Sequence, residues 1–191
     1  MRLSNFGGEM KMKIIGISGS LSGYKTMTIV FKVLKAAKSL DPNIETELID
    51  LKDYDVEFVN GAPLSFYNAD TVKVVDTIMA ADGLIIGTPI YQASISGVLK
   101  NLLDHLPVDG LMGKTVGMVA TGGTDKHYLV MDYHLRSILT FLKANVAGSN
   151  VFVNDKYFDA ENDIVDRNIL LRFEHLAKEV LSIQQFIQQK S

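Results

Sequence analysis

Apolar residues recur along the chain with two alternating periods, one typical of buried strands and the other of amphipathic helices. Short apolar runs predict five strands, at residues 13–18, 44–51, 84–88, 115–121 and 150–154. Apolar positions three and four residues apart predict helices at residues 26–40, 97–106, 127–144 and 164–188. A further helix is predicted to begin at an N-cap formed by Asn68 or Asp70 and to end just before Asp82. Pro89 is expected to end the third strand.

The regular alternation of strands and helices predicts an α/β fold. Right-handed crossovers between parallel strands place helices on both faces of the sheet. We therefore expect a flavodoxin-like three-layer αβα sandwich, with a five-stranded parallel sheet in the order 2-1-3-4-5. Residues 13–191 form the single predicted domain, and residues 1–12, which lack an apolar core, are expected to be a flexible N-terminal extension.

Composition narrows the class of protein further. Of the 191 residues, 47% are hydrophobic and 21% are charged, which is typical of a globular chain. The net charge of -3 gives no basic footprint for nucleic acid. The start of the chain resembles neither a signal peptide nor a membrane anchor, so we expect a cytoplasmic protein. Without cysteine the chain has no thiolate nucleophile, no disulfide and no cysteine-ligated metal.

Three loops of the predicted fold meet at the carboxyl edge of the sheet. Ligands of open α/β sheets bind at this edge, where the strand order reverses between strands 1 and 3. The loops at residues 19–28, 88–96 and 121–126 follow strands 1, 3 and 4, and they are rich in Gly, Ser and Thr. The sequence therefore predicts a ligand site at these three loops.

The first of these loops suits a phosphate group. It combines hydroxyl groups, a lysine and the free N–H groups of a helix N-terminus, a combination that attracts anions. The candidate phosphate ligands are Ser20, Ser22, Lys25 and Thr26.

Two other phosphate motifs compete for the same loop. Gly19, Lys25 and Thr26 match three positions of the P-loop pattern of NTPases, but Tyr24 stands where that pattern needs its second glycine. The glycines of strand 1 and its loop lack the G-x-G-x-x-G spacing of a dinucleotide fingerprint, in which Asp50 would accept the ribose hydroxyl.

Three stretches of the chain resemble NADPH-dependent FMN reductases, and most closely those of the alkanesulfonate-assimilation type. They are GISGSLSGYKT, GTPIYQASISGVLKNLLDHLP and VATGGTDKHYLVMDYHLRSILTFLKA, which start at residues 16, 87 and 119. The resemblance spans residues 13–154, and the second and third stretches are its most specific parts. The first departs from the family, which usually carries an arginine where this chain has Ser22.

The resemblance implies which residues surround the flavin ring. Those bordering the isoalloxazine would be Thr88, Pro89, Ile90, Tyr91 and Gln92, while Thr121, Gly122 and Gly123 would meet its pyrimidine side. These types suit the task, since proline fixes the backbone, tyrosine offers an aromatic wall and glycine lets N–H groups approach the ring.

The function that the resemblance implies is reduction of non-covalently bound FMN by NADPH or NADH. Reduced FMN would then pass to an acceptor or to a monooxygenase partner. The alternatives are an FMN-bound quinone, azo-dye or chromate reductase, a flavodoxin-like electron carrier, and a P-loop NTPase. The apolar helix predicted at residues 127–144, which carries Tyr133, implies a homodimer or homotetramer.

Overall fold

Five parallel strands form a sheet through the middle of the molecule, and a short sixth strand pairs with one of them. The computed structural model describes residues 11–190. The strands are β1 (Lys13–Ser18), β2 (Glu45–Asp50), β3 (Gly83–Tyr91), β4 (Ser94–Ile95), β5 (Thr115–Gly122) and β6 (Asn145–Asn154). The parallel strands lie in the order β2-β1-β3-β5-β6, which confirms the predicted flavodoxin-like order.

Helices cover both faces of this sheet, as predicted. They are α1 (Lys25–Leu40), α2 (Ala69–Met79), α3 (Gly97–Asp104), α4 (Arg136–Phe141) and α5 (Arg167–Gln188). Val33 of α1 and Phe173 of α5 belong to one apolar cluster, on one face of the sheet. Val75 of α2, Leu102 of α3 and Leu139 of α4 belong to a second cluster, on the other face. Within residues 11–190, none of these helices has the length and apolar content needed to cross a membrane.

The start of the chain was predicted to be a flexible extension over residues 1–12. Residues 1–10 of that prediction lie outside the described residues. Met12 is buried in the apolar cluster beneath α1 and α5. Its carbonyl oxygen accepts a hydrogen bond from the N–H of Glu45 at 2.8 Å, so the packed part of the domain begins before β1.

The prediction that Pro89 ends the third strand is wrong, because β3 continues to Tyr91. The partner strand β1 ends at Ser18, opposite Gly87, so Pro89 has a parallel partner only on β5, where it lies opposite Thr121. Proline has no backbone N–H to donate, so it is tolerated where one side of a strand has no neighbouring strand to hydrogen-bond with.

The prediction of one long helix at residues 127–144 is wrong, because the segment consists of several shorter elements. The segment contains a 3-10 turn at Asp125–His127, a π-helical turn at Met131–Leu135 and then the short helix α4. Met131, Leu135 and Leu139 are all buried and lie four residues apart. This spacing exceeds the 3.6-residue period of an α-helix, and a widened turn keeps the three side chains on one face.

Smaller differences concern the ends of elements. Asn68, rather than Asp70, caps α2 by accepting the N–H of Thr71. The helix α3 ends two residues earlier than predicted, and α5 begins later, at an N-cap formed by Asp166. The last strand, β6, begins five residues before its predicted start, and its register against β5 shifts between Val116 and Met118.

A tight turn between β3 and β4 was missed because its sequence lacks the usual glycine or asparagine. The central residues, Gln92 and Ala93, both have left-handed backbones, with φ of 48° and 58°. The antiparallel pairs Ile90–Ile95 and Tyr91–Ser94 fix this conformation. Because Cβ crowds the backbone in the left-handed region, the turn is strained at both residues.

Replacing Ala93 with glycine is therefore expected to stabilise the protein by about 1 kcal/mol, because glycine adopts the left-handed region without a steric cost. Urea denaturation measures the change. The matched control is Ala36→Gly inside α1, which is expected to destabilise by about 1 kcal/mol. Equal losses in both variants would contradict the strain assigned to this turn.

Candidate functional site

The three predicted loops meet around one cavity at the carboxyl edge of the sheet, with a volume of about 290 Å³. Among the described residues, its wall includes every predicted site residue except Thr88 and Gln92. The residues lining it are Ser20, Ser22, Gly23, Tyr24, Lys25, Thr26, Pro89, Ile90, Tyr91, Thr121, Gly122, Gly123, Asp155 and Asn162.

One end of the cavity is formed by the start of α1. The first hydrogen bond of this helix runs from the N–H of Thr28 to the carbonyl oxygen of Tyr24, at 2.8 Å. No side chain in the described part of the chain caps this helix start, and its first turn contains no acidic residue. Uncapped N–H groups and the helix dipole favour an anion here.

The loop before α1 is held in place by the neighbouring strand and helix. The N–H of Gly19 donates to the carbonyl oxygen of Gly87 at 2.8 Å, and the hydroxyl of Ser96 donates to the carbonyl oxygen of Gly19 at 2.6 Å. The hydroxyl of Ser20 donates to the carbonyl oxygen of Ser22 at 2.8 Å. The Ser20 hydroxyl therefore shapes the loop while its residue lines the cavity.

Two lysines lie near this end of the cavity. Lys25 lines the wall, and its Nζ is 3.0 Å from Oδ1 of Asp155. Lys52 lies further out, where its Nζ is 2.9 Å from the carboxylate of Asp50 and 4.2 Å from the ring centre of Tyr24. The hydrogen bond to Asp50 is the main reason why the pKa of Lys52 is raised. Lys52 therefore braces Tyr24 from outside the cavity.

The other end of the cavity is formed by the ends of β3 and β5. Pro89, Ile90 and Tyr91 form one side, and the Tyr91 side chain is 53% exposed. On the other side, a Cβ at Gly122 would lie 3.2 Å from the ring of Phe152. Glycine at position 122 therefore avoids crowding Phe152, and the cavity wall offers a flat ligand the backbone of Gly122 and Gly123 together with Tyr91.

A pair of buried threonines links the two ends of the cavity. Oγ1 of Thr26, at the start of α1, lies 3.3 Å from Oγ1 of Thr121, near the end of β5. Both residues line the cavity wall. The pair fixes the helix start relative to the strand that carries the glycines.

Thr88 and Gln92 occupy different surroundings from the other predicted residues. Thr88 is fully buried; its hydroxyl donates to the carbonyl oxygen of Pro89 at 2.9 Å and accepts the N–H of Ser96 at 3.1 Å. It therefore holds the end of β3 against the start of α3. Gln92 is exposed in the strained turn beyond Tyr91.

Sequence reasoning missed part of the cavity wall. Asp155 follows β6 directly, so the rule that ligands meet the carboxyl ends of strands could have identified it. Tyr24 is a mismatch to the P-loop pattern, so that pattern gives it no place in the wall. Asn162 comes from the turn before α5, and no sequence pattern marks it.

Comparison with known proteins gives the arrangement a family. The sequence profile described as "NADPH-dependent FMN reductase" matches residues 12–159, which is most of the chain. The chain belongs to this family. The prediction of the family is confirmed. The similarity supports an oxidoreductase rather than the two alternatives from other classes, a P-loop NTPase and an electron carrier.

Individual relatives of this FMN reductase family member agree with the assignment. An NAD(P)H-dependent FAD/FMN reductase of Geobacillus thermodenitrificans is 45% identical over 170 residues, which cover 89% of this chain and 92% of the relative. A quinone reductase of Escherichia coli is 30% identical, over 93% and 96% of the two chains. The solved structure of an NADH:FMN oxidoreductase superimposes with a TM-score of 0.77, at 29% identity, covering 92% and 90% of the two chains.

The residues around the cavity fit the flavin that the family name implies. An uncapped helix start beside Lys25 suits a phosphate, and the strand ends at Tyr91 and Gly122 suit a flat ring. When bound, FMN supplies a ring that accepts hydride from a nicotinamide. The protein supplies the position and the electrostatic surroundings of that ring.

Proposed function

We propose that this protein uses NAD(P)H to reduce FMN held non-covalently in the cavity described above. The observation that carries the proposal is that one cavity combines an uncapped helix start and a lysine, which suit a phosphate, with glycine backbone and Tyr91, which suit a flat ring. In this arrangement the start of α1 and Lys25 hold the phosphate, with Ser20, Ser22 and Thr26 beside it.

The flavin ring is proposed to lie between the ends of β3 and β5. The segment Pro89–Ile90–Tyr91 borders the ring from β3, and Thr121, Gly122 and Gly123 border it from β5. Thr88 supports this segment from beneath, through its hydrogen bonds to Pro89 and Ser96. Hydride transfer to a flavin depends on orientation and close approach, so no side chain has to act as an acid or base.

A direct assay tests the proposal. Purified protein with added FMN is expected to oxidise NADPH or NADH, followed as the loss of nicotinamide absorbance at constant protein concentration. Riboflavin, which lacks the phosphate, serves as the matched acceptor and is expected to bind less tightly. No oxidation of either nicotinamide nucleotide, together with no FMN binding, would contradict the proposal.

A second candidate function is reduction of quinones by an enzyme that keeps its FMN. The specific observation in its favour is the similarity to the quinone reductase of Escherichia coli. Gel filtration separates the two candidates, because a retained flavin would elute with the protein. Acceptor competition is the second measure: quinone would suppress the reduction of added FMN only in a quinone reductase.

We also propose that the protein forms a homodimer or homotetramer and passes reduced FMN to a monooxygenase partner. Aromatic side chains on the segment between β5 and β6 support the first part, since Tyr133 is 72% exposed and Phe141 is 63% exposed. Light scattering tests the assembly, and a monomeric mass would contradict it.

A further inference from the structure

We propose that Asp155 lowers the affinity of this protein for FMN by competing with the flavin phosphate for Lys25. The inference rests on the proposed function, in which the start of α1 holds that phosphate. It concerns the affinity for FMN: with Asp155 present, FMN binds reversibly and dissociates readily.

The ion pair between these residues joins two separate parts of the cavity wall. Lys25 is the first residue of α1, and Asp155 follows the last strand, β6. Their charged atoms lie 3.0 Å apart, and both side chains are more than one third exposed. An exposed ion pair is weak and exchanges its partners readily. A phosphate that binds at the start of α1 must therefore compete with Asp155 for Lys25, and it can displace Asp155 from the ion pair.

The second oxygen of Asp155 also faces the proposed site. A Cβ at Gly123 would lie 3.6 Å from Oδ2 of Asp155. The carboxylate thus lies between the lysine of the phosphate end and the glycine of the ring end. A bound FMN phosphate near Lys25 would have this negative charge close to it.

The position of Asp155 does not depend on Lys25. Asn154 accepts the N–H of Lys156 at 3.1 Å and so caps the short 3-10 turn that begins at Asp155. The same side chain donates to Oδ1 of Asp125 at 3.0 Å. The backbone therefore keeps the carboxylate at the cavity even when Lys25 turns to another partner.

The charge balance of the cavity gives the direction of the effect. Among the residues that line it in the described part of the chain, Lys25 and Asp155 carry the formal charges, and these cancel. A phosphate monoester carries a charge of about −1.5 to −2 at neutral pH. Neutralising Asp155 would leave the cavity positive and free Lys25, so FMN should bind more tightly.

This arrangement suits an enzyme whose flavin must leave after reduction. Tight binding of the phosphate would slow the release of the product, whereas a competing carboxylate speeds it without changing the slot for the ring. The expected signature is therefore specific to the phosphate: FMN affinity responds to Asp155 and riboflavin affinity does not.

The test compares dissociation constants for FMN and riboflavin, measured from the quenching of flavin fluorescence. Asp155→Asn is expected to bind FMN about fivefold more tightly, the limit for an exposed ion pair, with riboflavin unchanged. Added salt should weaken FMN binding more steeply in this variant. Asp104→Asn is the matched control, because it removes the same charge from the Lys100–Asp104 pair on α3, and it should change neither constant.

A double-mutant cycle with Lys25→Met tests whether Asp155 acts through Lys25. In the Lys25→Met background the competition is gone and only direct repulsion between Asp155 and the phosphate remains, so Asp155→Asn is expected to tighten FMN binding clearly less than fivefold. A full fivefold gain in that background would overturn the competition, as would equal tightening of riboflavin or weaker FMN binding in Asp155→Asn. If the wild-type protein binds neither flavin, the proposed function itself fails; if it binds FMN and Asp155→Asn does not bind it more tightly, this inference alone fails.

Discussion

Replacing Gly123 with leucine is expected to lower NAD(P)H oxidation about 100-fold, because a flavin displaced by about 1 Å loses its reactive geometry. FMN binding is expected to weaken as well, since the leucine side chain takes space proposed for the ring. Gly123 lines the cavity, and among the described residues the nearest neighbour of an added Cβ is the carboxylate of Asp155, at 3.6 Å. A larger side chain therefore has room to fit into the folded protein. The space that it takes is the space proposed for the flavin ring.

The stability of the Gly123→Leu variant separates a blocked site from a damaged fold. Its thermal midpoint is expected to stay within about 2 °C of the wild type, as for a surface substitution in a domain of this size. Gly97→Leu is the matched control, since Gly97 lies outside the cavity wall and a Cβ there meets no described atom within 4 Å. That control should bind FMN normally. Normal FMN binding by Gly123→Leu would place the ring elsewhere.

The sheet could be predicted because its strands are buried on both faces. Gly83–Tyr91 and Thr115–Gly122 are almost completely buried, so their sequences are continuous apolar runs with little ambiguity. The same burial explains why the strand order could be inferred: parallel strands joined by helices leave few possible topologies.

Prediction failed where tertiary contacts replace local signals. The first half of β6 contains Gly148 and Ser149, whose sequence resembles a turn. Their N–H groups donate to the carboxylate of Glu179 on α5, at 2.6 and 3.0 Å. Burial opposes ionisation of that carboxyl, but these hydrogen bonds outweigh it, and the pKa of Glu179 is lowered. A contact between residues about 30 positions apart leaves no trace in a local window.

The candidate site shows the same division. Residues next to the ends of β1, β3 and β5 could be predicted, because the fold brings these ends together whatever their side chains are. The ion pair between Lys25 and Asp155 could not, because it depends on how the loops after β1 and β6 fold back over the sheet. Topology thus predicts which strand ends line the cavity, whereas an ion pair between two separate segments depends on loop geometry.

Replacing Gly19 with alanine is expected to damage both the fold and the phosphate end of the site. A Cβ at Gly19 would lie 2.8 Å from Cβ of Leu99 and 2.9 Å from the carbonyl oxygen of Gly87. Neither neighbour can rotate away, since one belongs to a buried helix and the other to the backbone of β3. The loop must therefore shift, and we expect a loss of about 1–3 kcal/mol in the free energy of unfolding.

The shift caused by Gly19→Ala should weaken FMN binding more than riboflavin binding, because the loop that moves is the one proposed to hold the phosphate. Its movement strains the hydrogen bonds that Gly19 makes with Gly87 and Ser96. Urea denaturation and flavin titration measure the two effects separately. Gly97→Ala is the control: it places the same methyl group in open space at the start of α3 and should leave stability equal or slightly higher. Wild-type stability and unchanged FMN affinity in Gly19→Ala would show that the loop yields without cost, and that its contacts with Gly87 and Ser96 do not hold the phosphate cradle in place.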